Sequence, residues 1–300
     1  MRFGAHVSSS GGISNAIGRG LEIGCESLQV FTHNPRTWRP INHKPEEIEG
    51  FRSGAAEHGL GPLVSHGLYL INLGAPDREV PTGPKAKGKT RNIYRASVES
   101  LIQHLEVGDA LGLDGVVLHV GSSKGSTYEE AVRRIGEGVA EAFEQAGGRT
   151  MVYLENTAGA GDTIGRTFEQ LKDVFDAVGS PDRLGFCLDT QHLFASGFPV
   201  HEEDGIDRVL DDFDRIVGIE RLRCLHVNDS KTELGSNRDR HENLGDGLIG
   251  ADGFRRILSH PALQDLPAIL EVPGLEGEGP DRENMERARR FQGEGLALRD

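Results

Sequence analysis

The stretch RLGFCLDTQHLFASG, residues 183–197, decides how the chain is read. An apolar run from Leu184 to Leu188 stops at Asp189, and His192 follows three residues later. A carboxylate and an imidazole therefore stand where a buried strand ends. One such pair carries little weight alone, so the question is whether the chain repeats it.

It does. Eight short apolar runs punctuate the 300 residues: RFGAHVS near the start, SLQVFTHN from Ser27, GPLVSHG from Gly61, GVVLHVGS from Gly115, TMVYLENTAG from Thr150, LGFCLDTQH from Leu184, RLRCLHVNDS from Arg221 and PAILEVPG from Pro267. Several are almost continuously apolar, as strands covered on both faces are. Helical patterns lie between them. GGISNAIGRGLEIG puts Ile13, Ala16, Ile17, Gly20 and Leu21 on one face, and ASVESLIQHLEVGDALGL does the same with Val98, Leu101, Ile102, Leu105 and Leu111. TYEEAVRRIGEGVAEAFEQAGG opens on a capping-type Thr127 and ends at a Gly pair, and FEQLKDVFDAVG and IDRVLDDFDRIVG read as two more helices. Eight strand–helix alternations in this length predict an α/β fold, a (β/α)8 TIM barrel, occupying residues 1–300 as a single domain. The segment 75–92, APDREVPTGPKAKGKTRN, interrupts the pattern and reads as a long, exposed, basic loop.

Composition bounds the function. No apolar run approaches the ~20 residues of a membrane helix, and the N-terminus has no signal-peptide pattern, so a cytoplasmic protein is expected. Cys25, Cys187 and Cys224 have no CxxC spacing, and the last two sit inside apolar runs, which suits buried free thiols. A net charge of −14 argues against generic nucleic-acid binding. Divalent cations held by carboxylates offset that objection, as does a local basic rim.

In such a barrel the site is built at the C-terminal ends of the strands. Read strand by strand, those ends carry His66, His119, Glu155, Asp189 with His192 in the next turn, His226, and Glu271, and the loop after the seventh strand adds Asp239 and His241 in NRDRHENLG. A histidine that ends one strand is most often a hydrogen-bonded core residue, and a carboxylate there often caps the next helix. Nine such groups at one mouth are different, because burying so many unpaired carboxylates costs several kcal/mol each. Imidazole plus carboxylate without thiolate suits zinc, manganese and similar ions, and nine ligands suffice for about three of them. His6 faces the same mouth, as a support for a ligand or as core. His33 reads as loop surface, and His43, His58, His104, His201 and His260 as solvated.

The stretches GAHVSSSGG, FTHNPRTW, HGLYLINLG, HVGS, LENTAG, CLDTQHLFASG, LHVNDSK, RDRHENLGDGLIG and ILEV, in this order from Gly4 to Val272, resemble the endonuclease IV family of metal-dependent apurinic/apyrimidinic endonucleases. The resemblance implies a barrel with three divalent ions, zinc with manganese as the alternative. His66, His119 and Glu155 would bind the first. Glu155 would bridge to the second, bound also by Asp189, His226 and Glu271, and His192, Asp239 and His241 would bind the third. It implies hydrolysis of the phosphodiester 5′ to an abasic site in double-stranded DNA, leaving a 3′-hydroxyl and a 5′-deoxyribose phosphate, with 3′-end cleaning as a side activity. Water between the first two ions would be the nucleophile, with Glu155 and Glu271 as the catalytic carboxylates holding it. Arg36, Tyr69 and Leu70 match positions that wedge into DNA. The 75–92 segment looks longer than is usual in the family. A monomer without an obligate protein partner suffices. The rival reading is a sugar isomerase or epimerase, for which Glu155, Asp189, His226 and Glu271 around one ion would be enough.

Overall fold

The computed structural model describes residues 1–81, 89–179 and 181–299. In chain order the elements are β1 (Arg2–Val7), α1 (Asn15–Ile23), β2 (Ser27–Val30), α2 (Pro45–Glu57), β3 (Leu63–His66), β4 (Glu79–Pro81), β5 (Thr90–Asn92), α3 (Ile93–Leu111), β6 (Gly115–Leu118) and α4 (Tyr128–Ala146). There follow β7 (Met151–Glu155), α5 (Phe168–Val178), β8 (Leu184–Asp189), α6 (Thr190–Ser196), α7 (Gly205–Ile216), β9 (Leu222–Val227), β10 (Asp229–Ser230), β11 (His241–Glu242), α8 (Gly250–Ser259), β12 (Pro267–Leu270) and α9 (Arg282–Arg299).

Eight strands close into a barrel in the order β1-β12-β9-β8-β7-β6-β3-β2, and every pair in it is parallel. Four of these strands, β2, β3, β6 and β12, are four-residue runs buried at every position, which is why their sequences do not alternate. Several helices begin where short polar side chains satisfy their first N–H groups. Asn92 caps α3, Thr127 and Glu130 form a reciprocal box on α4, and Thr167 caps α5. The five helical patterns seen in the sequence are α1, α3, α4, α5 and α7. No described helix is long and apolar enough to cross a membrane.

Four differences from the sequence reading matter. The strands before His119 and Glu271 stop one residue short of them, and β9 runs one residue past His226. His192 lies on a short helix, α6, not in a turn. The basic segment 75–92 falls partly on residues 82–88, outside the described residues, but its flanks pair as an antiparallel hairpin, β4 with β5. Finally, of the histidines read as solvated only His58 is exposed. His43, His201 and His260 are half-buried, and His104 is fully buried. His104 follows Leu101 by three residues and precedes Leu105, so it shares their inward face of α3. Its Nδ1–H donates to the Ser100 carbonyl at 2.7 Å. His33 is half-buried as well, with its ring 5.4 Å from that of His104. Cys25, Cys187 and Cys224 are free and buried, as expected.

Candidate metal centre

All nine singled-out side chains meet at the C-terminal mouth. The centre is Glu155, which ends β7 with no exposed surface. Its Oε2 lies 3.2 Å from His66 Nε2 and 2.7 Å from His119 Nε2, while its Oε1 lies 2.8 Å from His226 Nδ1. One carboxylate thus faces two groups of imidazoles. Asp189 has a second task that explains the opening stretch: it caps α6, accepting the His192 N–H at 2.9 Å. The cap fixes the first turn so that the His192 ring swings back over the barrel, where its Nδ1 donates to the Asn156 carbonyl at 2.9 Å. The hairpin β10–β11 and its loop bring in Asp239, whose carboxylate oxygens lie 3.4 Å from His192 Nε2 and 3.2 Å from His241 Nε2. Asp229 anchors that hairpin, accepting backbone N–H groups from Ser230, Gly245, Gly247 and Ile249.

Among the described residues, besides a set of Cys187, Cys224 and His226, three sets of potential ligand atoms each lie within 4.8 Å of one another: His66, His119 and Glu155; Glu155, Asp189, His226 and Glu271; and Asp189, His192 and His241. The first two coincide with the sets implied by the family resemblance. The third brings Asp189 into contact with His192 and His241, with Asp239 at its exposed edge.

The electrostatics fit cations. Four carboxylates share a largely buried mouth. Burial alone lowers the pKa of His192, but Asp189, Asp239 and Glu155 outweigh it and push it up to about 10. The same opposition, with Asp239 and Asp189 prevailing, takes His241 up to about 9. Glu271 and Glu155 hold His226 well above its ordinary value in the same way. Without other cations the mouth must collect protons to balance its carboxylates. Yet the Nε2 atoms of His119, His192 and His241 are buried without an aligned hydrogen bond, although carboxylate oxygens are close. Buried nitrogens converging on carboxylates without bonding to them suit divalent ions. Cys187 and Cys224 approach His226 from below, but burial raises the Cys187 thiol well above its ordinary value, which disfavours a thiolate ligand.

Sequence reasoning missed the residues that hold the ligands. Asn156 accepts the Asp189 N–H at 2.6 Å through its side chain, and Asn228 donates to Asp189 Oδ2 at 2.6 Å and accepts the Glu271 N–H at 2.8 Å. Gln29, fully buried on β2, touches His6, His226 and Glu271. The available signal was a polar residue inside or just beyond an apolar run, in LENTAG, LHVNDS and SLQVF.

Two cavities flank the mouth. One of about 300 Å³ reaches His119, His192 and Asp239 and is lined by Leu70 and the small residues Ala158, Gly159 and Ala160. A larger groove of about 910 Å³ runs past Ser8, His33 and Arg36. Tyr69 borders both and is 61 % exposed, with its ring edge-on to Phe31 at 5.3 Å. Trp38 packs behind this loop, half-buried, with Arg91 over its ring. Residues 31–44 include Arg36, Arg39 and Lys44 and no carboxylate, although Glu47 and Glu278 also line the larger groove.

The family model described as "Xylose isomerase-like TIM barrel" matches residues 19–293. The chain is 38% identical to a "Probable endonuclease 4" of Methanoculleus marisnigri, over 97% of this chain and 98% of the relative. The crystal structure of endonuclease IV from Thermus thermophilus superposes with a TM-score of 0.82 at 36% identity, covering 98% of this chain and 100% of that one. A D-tagatose 3-epimerase-like protein reaches a TM-score of 0.69 at 18% identity, a likeness of fold alone. The chain belongs to the endonuclease IV family, within the xylose isomerase-like TIM barrels.

Proposed function

We propose that this protein is a metal-dependent apurinic/apyrimidinic endonuclease of base-excision repair. It cuts double-stranded DNA on the 5′ side of an abasic site, leaving a 3′-hydroxyl and a 5′-deoxyribose phosphate, and trims blocked 3′ ends with the same site. The observation that carries the reading is the convergence of His66, His119, Glu155, Asp189, His192, His226, Asp239, His241 and Glu271 on one mouth beside an exposed tyrosine, in a chain of this family.

The nine residues would hold three divalent ions, zinc or manganese, which would supply Lewis acidity toward water and the phosphate. The chain's own groups do the rest. Glu155 turns one oxygen to each of two imidazole groups and ties them together. Glu271 keeps Oε2 toward His226 at 3.3 Å, and imidazole neighbours led by His226 outweigh burial to hold its carboxyl below the usual range. As a carboxylate at the mouth it would orient an attacking water and receive its proton. The smaller cavity suits a sugar-phosphate without a base. Extruding an abasic nucleotide costs little, because it has no base to unstack. Tyr69 and Leu70 then fill the gap in the helix, and Arg36 steadies the backbone from the larger groove. The protein acts as a monomer, in the cytoplasm, without an obligate partner.

The test is a nicking assay on a labelled duplex carrying one stable abasic analogue, beside an intact duplex and a chelator-treated sample. A single metal-dependent cut on the 5′ side, absent from the intact duplex, is expected. No cut from a metal-loaded sample, with turnover of a ketose, would instead support the epimerase reading, for which Glu155, Asp189, His226 and Glu271 suffice.

A further inference from the structure

Strands β1 and β2 contribute none of the nine ligands, yet a side chain of each reaches the centre. Gln29 is the more informative because it touches three groups at once. Its Oε1 lies 2.8 Å from His226 Nε2, and its Nε2 lies 2.6 Å from Glu271 Oε1 and 2.9 Å from His6 Nδ1. Only one amide orientation satisfies all three. The opposite one would set an oxygen against the Glu271 carboxylate at hydrogen-bond distance, with no proton between them. In the observed orientation the amide oxygen can only accept, so His226 must carry a proton on Nε2. Nδ1 is then the nitrogen available to ligate an ion, and it faces Glu155 Oε1 at 2.8 Å, Glu271 Oε2 at 3.3 Å and Asp189 Oδ2 at 3.9 Å.

We propose that Gln29 is a positioning residue of the metal centre: one amide selects the ligating tautomer of His226 and holds one oxygen of Glu271, so that Nδ1 and the other oxygen face the ion shared with Glu155 and Asp189. Outer partners of this kind fix ring orientation and ligand basicity in metal sites. Gln29 does so for two ligands from opposite ends of its amide. His6, held through Nδ1 on the same amide, braces it from β1. The inference rests on the metal-centre reading above but not on the identity of the substrate.

The experiment compares the zinc-loaded wild type with Gln29→Leu and Gln29→Glu. Readouts are zinc content after timed exposure to a chelator and the ¹⁵N spectrum of the histidine rings, with His226 assigned from a His226→Ala sample. The expected wild-type spectrum has the His226 proton on Nε2. Gln29→Leu, similar in size without the amide, should release about one ion some ten- to hundredfold faster, the usual effect of losing an outer partner. Gln29→Glu can still accept from His226 but cannot donate to Glu271, so it should keep the tautomer and still lose zinc faster. A wild-type His226 protonated on Nδ1 would overturn the proposal, whether or not either variant folds. So would a folded Gln29→Leu protein that keeps every ion at the wild-type rate. A wild type that retained no zinc at all would overturn the metal-centre reading itself, a failure visible before any variant is compared.

Discussion

Two rings of side chains line the inside of the barrel, two residues apart along the same six strands, with His119 and Glu271 one residue past their strand ends. The lower is Val64, Val117, Tyr153, Cys187, Cys224 and Ile269, a buried cluster separate from the main core. The upper is His66, His119, Glu155, Asp189, His226 and Glu271. Positions i and i+2 of a strand share a face, so both rings point inward. Their chemistry is opposite. The lower ring is packed tightly enough that a Cβ at Gly115 would fall 2.6 Å from the Tyr153 ring. It contributes stability through area removed from water. The upper ring gathers three carboxylates among three imidazoles in a largely buried mouth, which costs stability unless cations or protons offset the carboxylates. One strand serves both, so a single step of two residues divides holding the fold from doing chemistry.

Neighbouring substitutions can break that division. His226→Ala should lose an ion and reduce nicking by more than about a thousandfold, since a metal's polarisation is worth several kcal/mol. The metal-free variant should melt below the metal-free wild type, because the lost ring is the cationic partner of buried Glu155 and of Glu271. Metal content with calorimetry checks both halves, and full activity with intact metal content would contradict the assignment. Ile269→Ala, two residues before Glu271 and fully buried, should do the reverse. It should cost about 2–5 kcal/mol in urea unfolding, with metal content retained. A comparable loss of ions would mean the two rings are not separable.

This division also explains what could be read from the sequence. The upper ring was legible because each ligand falls at or beside the end of an apolar run, a change of polarity at a similar place in six of eight similar units. Glu155 after MVYL and Asp189 after LGFCL are the clearest cases. Gln29 was hidden because it sits inside its run, with Val30 and Phe31 still to come, and no one-dimensional pattern says that β2 lies across the barrel from His226. Asn156 and Asn228 were hidden for a related reason: each follows a strand and looks like an ordinary loop residue until its partner on the next strand is known. His104 misled because a histidine on an amphipathic helix is usually solvated, and only its phase relative to Leu101 and Leu105 shows otherwise. The β10–β11 hairpin has two residues in each strand, too short for any periodicity.

His104 also offers a buried polar group without the carboxylates of the mouth. Burial, offset only in part by its hydrogen bond to Ser100, lowers its pKa to about 4. Unfolded, it titrates near 6.5, so between those values the unfolded chain binds the proton more readily. Its contribution to stability is complete above about pH 6.5 and is lost as the pH falls toward about 4, amounting to about 3 kcal/mol. Urea midpoints of the wild type and His104→Gln between pH 7 and 4 should therefore converge as the pH drops. Curves that stay parallel would show that His104 is not held neutral, and that burial without carboxylates does not act oppositely to burial among them.

Tyr69 belongs to neither ring, and its expected effect is the smallest. It borders both cavities but leaves 61 % of its surface to solvent, so little of the fold depends on it. If it fills the gap left by an extruded nucleotide, it acts only when DNA is bound. Stacking of that kind is worth about 1–3 kcal/mol per base. Tyr69→Ala should then melt as the wild type does and keep its ions, while kcat/KM on abasic duplex falls by about ten- to a hundredfold. Tyr69→Phe should restore most of the loss, because the ring and not the hydroxyl does the stacking. An alanine variant that cuts at the wild-type rate would remove Tyr69 from the DNA-binding face and leave both rings as they stand. A phenylalanine variant as impaired as alanine would shift its role to the hydroxyl, a hydrogen bond to DNA in place of a wedge.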